Sequence, residues 1–290
     1  MKAALVGDGI RASLTPAMHM AEAAAQGFSY EYEMFDTTEA PYAGRSLADI
    51  VAEARDAGLA GLNITHPFKI EAAGLADRLV GSARELGTVN TLVFENGETV
   101  GYNTDYVGFR SALRRFLPAA RMGHVLLAGA GGAGRSVALG LIDQGVDRLT
   151  ILEQDTQRGE QLLTLLKRLR PNANVKAVSD CEPVDFNSLS GFVNATPMGM
   201  ASHPGTAIDP VAVKQHTWVA DIVYFPQETT LLARAKMRGC RVMNGSGMAI
   251  FQAVAAFQLL TDTPADADRM VASFQALHAD IQPKTEAQSA

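Results

Sequence analysis

Cysteine is scarce in this chain of 290 residues: Cys181 and Cys240 are the only two, with no pairing motif and no histidine at metal-ligand spacing. That argues against a disulfide-built scaffold and against a metal site, and it fits a reducing compartment with unbridged thiols. Positive charge is scarce too. With 25 basic against 31 acidic residues the net charge is −6, so nothing neutralises a polyanion over a long surface, and nucleic acid is not an expected partner. An anionic substrate must then be held by local dipoles and hydroxyls rather than by a general positive field. Long apolar runs are missing. The start Met1-Lys2-Ala3-Ala4-Leu5-Val6 is too short for a signal-peptide core or a membrane span. It reads as a first strand, in a cytoplasmic protein that does not enter membranes. Internal repeats and low-complexity stretches are absent, and aromatics make up only 7%. What is abundant is small and apolar: 47% hydrophobic residues and 26 glycines. This composition fills real cores, excludes a mostly disordered chain, and suits close helix–sheet packing. The length suggests two domains.

Strand and helix signals alternate from the start. Ala3–Val6 reads as a strand ending in the turn Gly7-Asp8-Gly9. Thr15-Pro16 opens a helix, with Thr15 as N-cap and Pro16 at N1, and Gly27 stops it. Tyr30–Phe35 and Leu59–Thr65 read as strands, with a helix over Leu47–Ala57 between them. Pro67 begins a further helix near Phe68. Val89–Phe94 and Thr99–Asn103 flank Asn96-Gly97, a strong hairpin signal. A helix from Asp105 to Leu117 leads out. Six β segments then alternate with helices: Val125–Ala128, Leu149–Glu153, Val175–Val178, Gly191–Ala195, Trp218–Val223 and Cys240–Met243. Helices over Ala133–Gln144 and Thr156–Leu169 are the clearest. The alternation predicts a doubly wound parallel sheet. Helices over Met248–Leu260 and from Pro264 to about Ile281 follow the sixth strand and are expected to return to the first domain. The tail 283–290 is polar and expected to fray. The predicted fold class is thus α/β with two domains. One is a discontinuous N-terminal α/β substrate domain, 1–107 plus 248–290. The other is a Rossmann-type dinucleotide domain, 108–247, with the active site between the two.

Gly129-Ala130-Gly131-Gly132-Ala133-Gly134 follows the run His124–Ala128 and opens a helix. Gly129, Gly131 and Gly134 satisfy G-x-G-x-x-G. The first makes the tight turn, the second lets backbone approach a pyrophosphate, and the third lets helix and strand pack closely. The same stretch nearly matches a nucleoside-triphosphate loop, but Arg135 stands where that loop needs lysine. The next strand ends at Glu153, nineteen residues past Gly134. A carboxylate there accepts from both ribose hydroxyls and repels a 2′-phosphate, which favours NAD. Arg158, one helical turn on, could instead serve a phosphate, and a solvated strand-end glutamate is the plain alternative.

Polar residues gather at turns and strand ends of the first domain: Ser13 and Thr15, Asn63, Thr65 and Lys69, Asn90, Asn103 and Asp105. Strand ends open onto the ligand crevice of α/β sheets, and this set suits a small polyhydroxylated acid. Hydroxyls beside the positive end of the Thr15 helix could bind its carboxylate, or could simply cap. Asn63 and Asn90 could equally brace loops. Lys69 and Asp105 form the sharpest pair. Alcohol oxidation by hydride transfer needs a base for the hydroxyl proton, and the reverse needs an acid. A structural ion pair is the alternative. Gln252 is an amide on an otherwise apolar helix and needs partners that a ligand could supply. The histidines show no metal-ligand spacing, and Met198 and Met200 suit either a nicotinamide contact or a loop core.

Taken together, these segments resemble the shikimate dehydrogenase family, most closely its NAD-dependent quinate/shikimate branch. The matching segments are Ser13-Leu14-Thr15-Pro16, Asn63-Ile64-Thr65-His66-Pro67-Phe68-Lys69, Val89-Asn90-Thr91-Leu92 and Asn103-Thr104-Asp105. They continue with Gly129 to Gly134, Asn194 to Met200, Asp221-Ile222-Val223-Tyr224, and Gly245-Ser246-Gly247-Met248 with Gln252. The resemblance implies Lys69 and Asp105 as the catalytic dyad and Ser13 and Thr15 as holders of the substrate carboxylate. It implies that Asn63, Thr65, Asn90, Asp105 and Gln252 hold ring hydroxyls, with Tyr224 beside the substrate. It implies that Asn194, Ala195, Thr196, Pro197, Val223, Gly247 and Met248 line the cofactor, joining Gly129 to Ala133. Three departures matter. Tyr106 replaces the glycine that usually follows Asn-Thr-Asp, and its ring is expected to shape the pocket rim. Thr15 replaces a serine, a change linked with quinate use. The NADP-type Asn-Arg-Thr is absent, with Gln154-Asp155-Thr156 in its place.

The expectation is therefore a quinate/shikimate dehydrogenase with NAD as cofactor, no metal, and a monomer or homodimer. Its alternatives are an NADP-dependent biosynthetic shikimate dehydrogenase and a non-catalytic quinate or nucleotide sensor.

Overall fold

The computed structural model describes the backbone of residues 1–286 and the side chains of residues 1–279. The chain divides into two compact units, Met1–Thr104 with the chain from Ile250 onward, and Asp105–Ala249.

The first unit contains β1 (Lys2–Gly7), α1 (Thr15–Ala25), β2 (Glu31–Asp36), α2 (Leu47–Asp56), β3 (Gly61–Ile64), α3 (Glu71–Leu75), β4 (Arg78–Leu79), α4 (Ser82–Leu86), β5 (Thr91–Glu95) and β6 (Glu98–Tyr102). These six strands form one sheet in the order β2-β1-β3-β5-β6-β4. The first three are mutually parallel, while β5 runs antiparallel to both β3 and β6. The β5–β6 hairpin turns on Asn96 and Gly97, at φ 51° and 81°. Both are in the left-handed region that a two-residue hairpin loop demands and that Asn-Gly tolerates best. Alternation along β1 sorts the core into two layers. Ala4 and Val6 face a cluster with Ile50, Val51 and Ala54 of α2. Ala3 and Leu5 face the other way, toward Ala23 of α1, Tyr30, Tyr32 and Phe257. His19 of α1 is fully buried in that second layer, 4.8 Å from the Tyr32 ring centroid. Burial pushes its pKa down to about 3, so it is a neutral core residue.

The second unit begins within α5 (Thr104–Phe116) and continues through β7 (His124–Ala128), α6 (Gly132–Asp143), β8 (Arg148–Leu152), α7 (Thr156–Leu169), β9 (Val175–Val178), β10 (Leu189–Asn194), β11 (Trp218–Asp221), α8 (Thr230–Met237) and β12 (Val242–Met243). Its sheet runs β12-β11-β10-β7-β8-β9 with every neighbouring pair parallel. That is the expected doubly wound order, in which succession reverses between β7 and β10. Ligands of such sheets bind outside the carboxyl ends of the strands at that reversal. α9 (Ser246–Thr261) and α10 (Ala267–Glu286) complete the chain. Glu22 of α1, whose side chain is only 1% exposed, takes two hydrogen bonds from Arg269 of α10, at 2.6 and 2.7 Å.

The structure corrects several expectations. Leu14, not Thr15, occupies the N-cap of α1 and offers no side-chain cap. Ser13 Oγ instead accepts from Thr15 N–H at 3.3 Å, so the hydroxyl two residues earlier serves the first orphan donor. The helix expected from Pro67 starts only at Glu71. Residues 66–70 form turns, and the first helical bond runs from Ala72 N–H to Phe68 C=O. α10 passes the expected end at Ile281 to reach Glu286, and the rest of the tail expected to fray lies outside the described residues. Among the described residues no helix is long and apolar enough to cross a membrane, and no cluster of metal-ligating side chains occurs.

Candidate active site

In the first unit the expected ligands converge on the centre of the sheet. Asn63, next to the last residue of β3, lies opposite Thr91 of β5, and Asn63 Nδ2 donates to Thr91 Oγ1 at 2.9 Å. Asn90, 2% exposed, donates from Nδ2 to Thr104 Oγ1 at 2.9 Å and to Gln252 Oε1 at 3.2 Å. Its Oδ1 accepts from Thr104 N–H at 2.7 Å. Gln252 of α9 thus finds protein partners for its carbonyl within the unit. Thr65 follows β3 directly, its N–H bonded to Val6 C=O at 2.9 Å. Lys69 lies in the turn ahead of α3 rather than on a helix, half-buried, and its C=O accepts from Val89 N–H at 2.8 Å. Ser13 and Thr15 stand at the start of α1, where the helix dipole is positive.

Asp105 is in the first turn of α5 and 3% exposed. Tyr106, next in the chain, is tied within the second unit. Its hydroxyl donates to Asp143 Oδ2 and accepts from Arg110 Nη1, both at 2.7 Å, and Arg170 grips the same Asp143 carboxylate at 2.7 and 2.8 Å. Asp143 is the last residue of α6, roughly 16 Å along that helix from its glycine-rich start at the helical rise per residue. The hydroxyl therefore ties α5 to the far end of α6.

The glycine-rich turn meets three distinct requirements. Gly129 has φ +99°, and a Cβ there would stand 2.8 Å from Ala195 O. A Cβ on Gly134 would collide with the Gly129 carbonyl, so α6 can approach β7 this closely only without one. Gly131, at the N-cap of α6, has open space where its Cβ would be. That is the cradle a pyrophosphate fits, with the N–H groups of residues 132–134 preceding the first helical bond, Arg135 N–H to Gly131 C=O. Glu153 follows β8 and turns back onto this loop. Its Oε2 accepts from Ala130 N–H at 2.9 Å and its Oε1 from Asp155 N–H at 3.1 Å. Arg158 lies 3.9 Å from Glu153 and 3.4 Å from Asp155, held between two carboxylates. Beside them opens a cavity of about 460 Å³ walled by Glu153, Glu160, Asp180 and Glu182, with Gly159 and Ala177 at its base.

Asn194 ends β10 and organises the adjoining turn. Its Oδ1 accepts from Thr196 N–H and hydroxyl at 3.1 and 2.6 Å, and its Nδ2 donates to Met198 O and to Asp221 Oδ1, both at 2.9 Å. Asp221, fully buried at the end of β11, also accepts from Val223 N–H at 3.0 Å and Thr229 Oγ1 at 2.7 Å. Burial raises its pKa to about 6, against the pull of these three bonds. Sequence alone gives Asp221 no role, although a lone acid closing an apolar strand is the available signal. Val223 is buried, and Tyr224 is half-buried with its ring edge-on to Phe225. Gly247 opens α9 against Phe116, whose ring a Cβ would meet at 2.9 Å, and Met248 beside it is buried.

Comparison with known proteins agrees with this arrangement. Residues 5–92 match the family model described as the shikimate dehydrogenase substrate binding domain. The chain is 44% identical over 276 residues to the quinate/shikimate dehydrogenase (NAD(+)) of Corynebacterium efficiens, covering 94% of this chain and 97% of that one. It is 42% identical to the shikimate dehydrogenase (NADP(+)) of Streptomyces avermitilis, covering 94% of each. Among solved structures, the quinate dehydrogenase of Corynebacterium glutamicum in complex with NAD superposes with a TM-score of 0.88 at 40% identity, covering 95% of this chain and 99% of that one. With two α/β units, a glycine cradle and near-complete coverage by such relatives, the chain belongs to the shikimate dehydrogenase family.

Proposed function

We propose that the chain is an NAD-dependent dehydrogenase that reversibly oxidises a ring hydroxyl of quinate or shikimate to the 3-dehydro product. Its relatives include enzymes named for NAD(+) and for NADP(+), so membership alone does not choose the cofactor. One observation carries the choice: the Glu153 carboxylate is fixed on the glycine-rich loop by Ala130 N–H, with three further carboxylates on the same cavity wall. Ribose hydroxyls can donate to such a carboxylate, whereas a 2′-phosphate would meet four like charges. Arg158, the one side chain here suited to a phosphate, is engaged by Glu153 and Asp155. In this reading Gly129 to Ala133 hold the pyrophosphate, and Asn194 to Pro197, Val223, Gly247 and Met248 line the rest of the dinucleotide. NAD, when bound, supplies the hydride acceptor.

The protein's own part is binding and proton handling. Ser13 and Thr15, at the positive end of α1, hold the substrate carboxylate. Asn63, Thr65, Asn90 and Gln252 hold ring hydroxyls, with Tyr224 alongside. Lys69 receives the proton of the reacting hydroxyl, and Asp105 orients that hydroxyl and the ammonium it creates. The enzyme works in the cytoplasm as a monomer or homodimer, with no nucleic acid or membrane partner. A two-by-two steady-state matrix of quinate and shikimate against NAD and NADP tests the proposal. Turnover with NAD supports it. Faster turnover with NADP would make the chain a biosynthetic shikimate dehydrogenase, and binding without turnover would make it a sensor. Lys69→Ala should lower kcat by about a hundredfold or more, in the range of general acid–base catalysis, while the NAD Kd stays within about twofold. Normal turnover in that variant removes Lys69 from the chemistry.

A further inference from the structure

The Asn63 amide of the first unit is held in one orientation, and the reason lies two strands away. β1 separates β2 from β3. Ala3 of β1 pairs with Tyr32 on one side and Gly61 on the other, and Leu5 pairs with Asn63. Side chains on one face recur at every second position, so Tyr32, Ala3, Gly61 and Asn63 share a face. Crossing from β2 to β3 spans two strand spacings, roughly 9–10 Å. The small Ala3, between Tyr32 and Gly61 in the pairing, puts little bulk in the way of the Tyr32 ring. Its hydroxyl donates to Asn63 Oδ1 at 2.5 Å, with both residues buried.

The consequences follow from counting hydrogens. A phenol has one to donate, and Tyr32 gives it to Asn63, which fixes that amide oxygen as an acceptor. Asn63 Nδ2 must then point the other way, to Thr91 Oγ1 at 2.9 Å and Asn90 C=O at 3.3 Å. Thr91, having accepted, passes its own hydrogen to Asn90 Oδ1 at 3.2 Å. Asn90 is turned by the Thr104 N–H, which donates to the same Oδ1 at 2.7 Å, so its Nδ2 faces Thr104 Oγ1 and Gln252 Oε1. At the end of the row the Gln252 oxygen faces inward, so its NH2 group is what it turns to a ligand. Asn63 has committed both amide hydrogens and offers its oxygen. Burial, with Tyr30 nearby, pushes the Tyr32 phenol well above its ordinary ionisation range, so it remains a donor at any assay pH.

We infer that Tyr32 is a positioning residue that, with Thr91 on the other side of the amide, holds Asn63 as the hydrogen-bond acceptor toward a ring hydroxyl, while the Thr104 N–H turns Asn90 and with it Gln252. The inference rests on the reading of Asn63, Asn90 and Gln252 as substrate ligands. The test is steady-state kinetics of the full chain with NAD and whichever of quinate and shikimate turns over faster. The variants are Tyr32→Phe, Thr91→Val, the two combined, and Gln252→Ala. Tyr32→Phe should raise the substrate KM about 3- to 10-fold, as for loss of one oriented hydrogen bond, with kcat and the NAD KM within about twofold. Thr91→Val removes the other partner of that amide and should do the same, and the double variant should be no worse than the worse single. A purely structural role would lower the melting temperature and leave the substrate KM unmoved. If Gln252→Ala raises KM while Tyr32→Phe and Thr91→Val do not, or if their effects add in full, the positioning role is refuted and the substrate reading stands. If Gln252→Ala also leaves KM unchanged, the substrate reading itself falls. Should Tyr32→Phe fail to fold, Thr91→Val decides alone.

Discussion

Asp221 offers a sharp test of the second unit because its carboxylate has no exposed surface and must nonetheless hold three strand-end elements together. Burial lifts its pKa from 3.8 to about 6, although Thr229, Val223 and Asn194 all donate to the charged form. The folded value lies above the unfolded one. Between pH 4 and 6 the native state therefore binds more proton than the unfolded chain. The stability this group contributes is fully present below about pH 4 and is lost as pH rises through about 6. A gap of roughly two pH units corresponds to about 3 kcal/mol in full, of which about 2 kcal/mol falls between pH 4.5 and 7.5. Asp221→Asn removes the titration and keeps the shape. The new amide oxygen can still accept from Asn194 and Val223, and its NH2 can donate to Thr229 once that hydroxyl turns. Unfolding of both proteins by heat or urea across this pH range should show the variant gaining on the wild type by about 2 kcal/mol toward pH 7.5. For a chain of this size that is about 3 °C in Tm. Comparing the two proteins cancels the titration of every other carboxylate. A difference that stays constant with pH would mean that Asp221 ionises as readily in the fold as out of it, and the burial argument would fail.

Arg269→Ala leaves the Glu22 carboxylate buried with its two charged hydrogen bonds removed. A lower Tm at neutral pH is expected, with a smaller loss than for a fully buried pair because Arg269 is partly exposed. Burial alone would raise the Glu22 pKa, but the bonds from Arg269, Asp266 N–H and Gln26 outweigh it and hold the pKa below its usual value. The folded value is the lower one here. The stability is present above the unfolded pKa and is lost as pH falls through the folded one, so the gap between variant and wild type should narrow in acid. Equal Tm values at neutral pH would refute the role given to this pair. Gly134→Ala places a methyl group against the Gly129 carbonyl, a backbone atom with little room to move. It should cost about 1–3 kcal/mol of stability and weaken NAD binding about tenfold or more, checked by thermal unfolding and calorimetry. Unchanged NAD binding would show that this turn does not cradle the dinucleotide.

Much of the fold was legible because its signals are local. The limits of α7, Thr156–Leu169, could be read directly: Asp155 precedes the helix, and its side chain accepts from Arg158 N–H at 3.1 Å. The β5–β6 hairpin follows from Asn96-Gly97, since few other pairs adopt two left-handed residues in succession. The errors arose where a local rule had a near neighbour competing for the same job. Leu14 takes the N-cap position that Thr15 was expected to hold, and Ser13 Oγ accepts from the Thr15 N–H. Pro67 fits a helix start, yet the backbone makes turns as far as residue 70 before the helix begins. Tyr106 could be judged only by what replaced what. Its partner Asp143 lies 37 residues away, and nothing in the local pattern announces that pairing.

The same distinction divides the site. Glu153 was legible because a Rossmann unit fixes the chain length between its glycine-rich turn and the end of the next strand, so counting residues locates the acid. Tyr32, Thr91 and Thr104 were not. Their importance depends on the register of β2, β1, β3 and β5, and a slip of one residue would send each side chain to the opposite face. A residue that meets a ligand must carry suitable chemistry at a strand end, and the sequence displays both properties. One that only orients such a residue needs a hydroxyl at the right distance across a sheet, and hydroxyls are common. The hold of Tyr32 and Thr91 on Asn63 therefore becomes visible only when each hydrogen is assigned to one acceptor along the row. It is also where substrate preference can change without touching any residue that contacts the substrate.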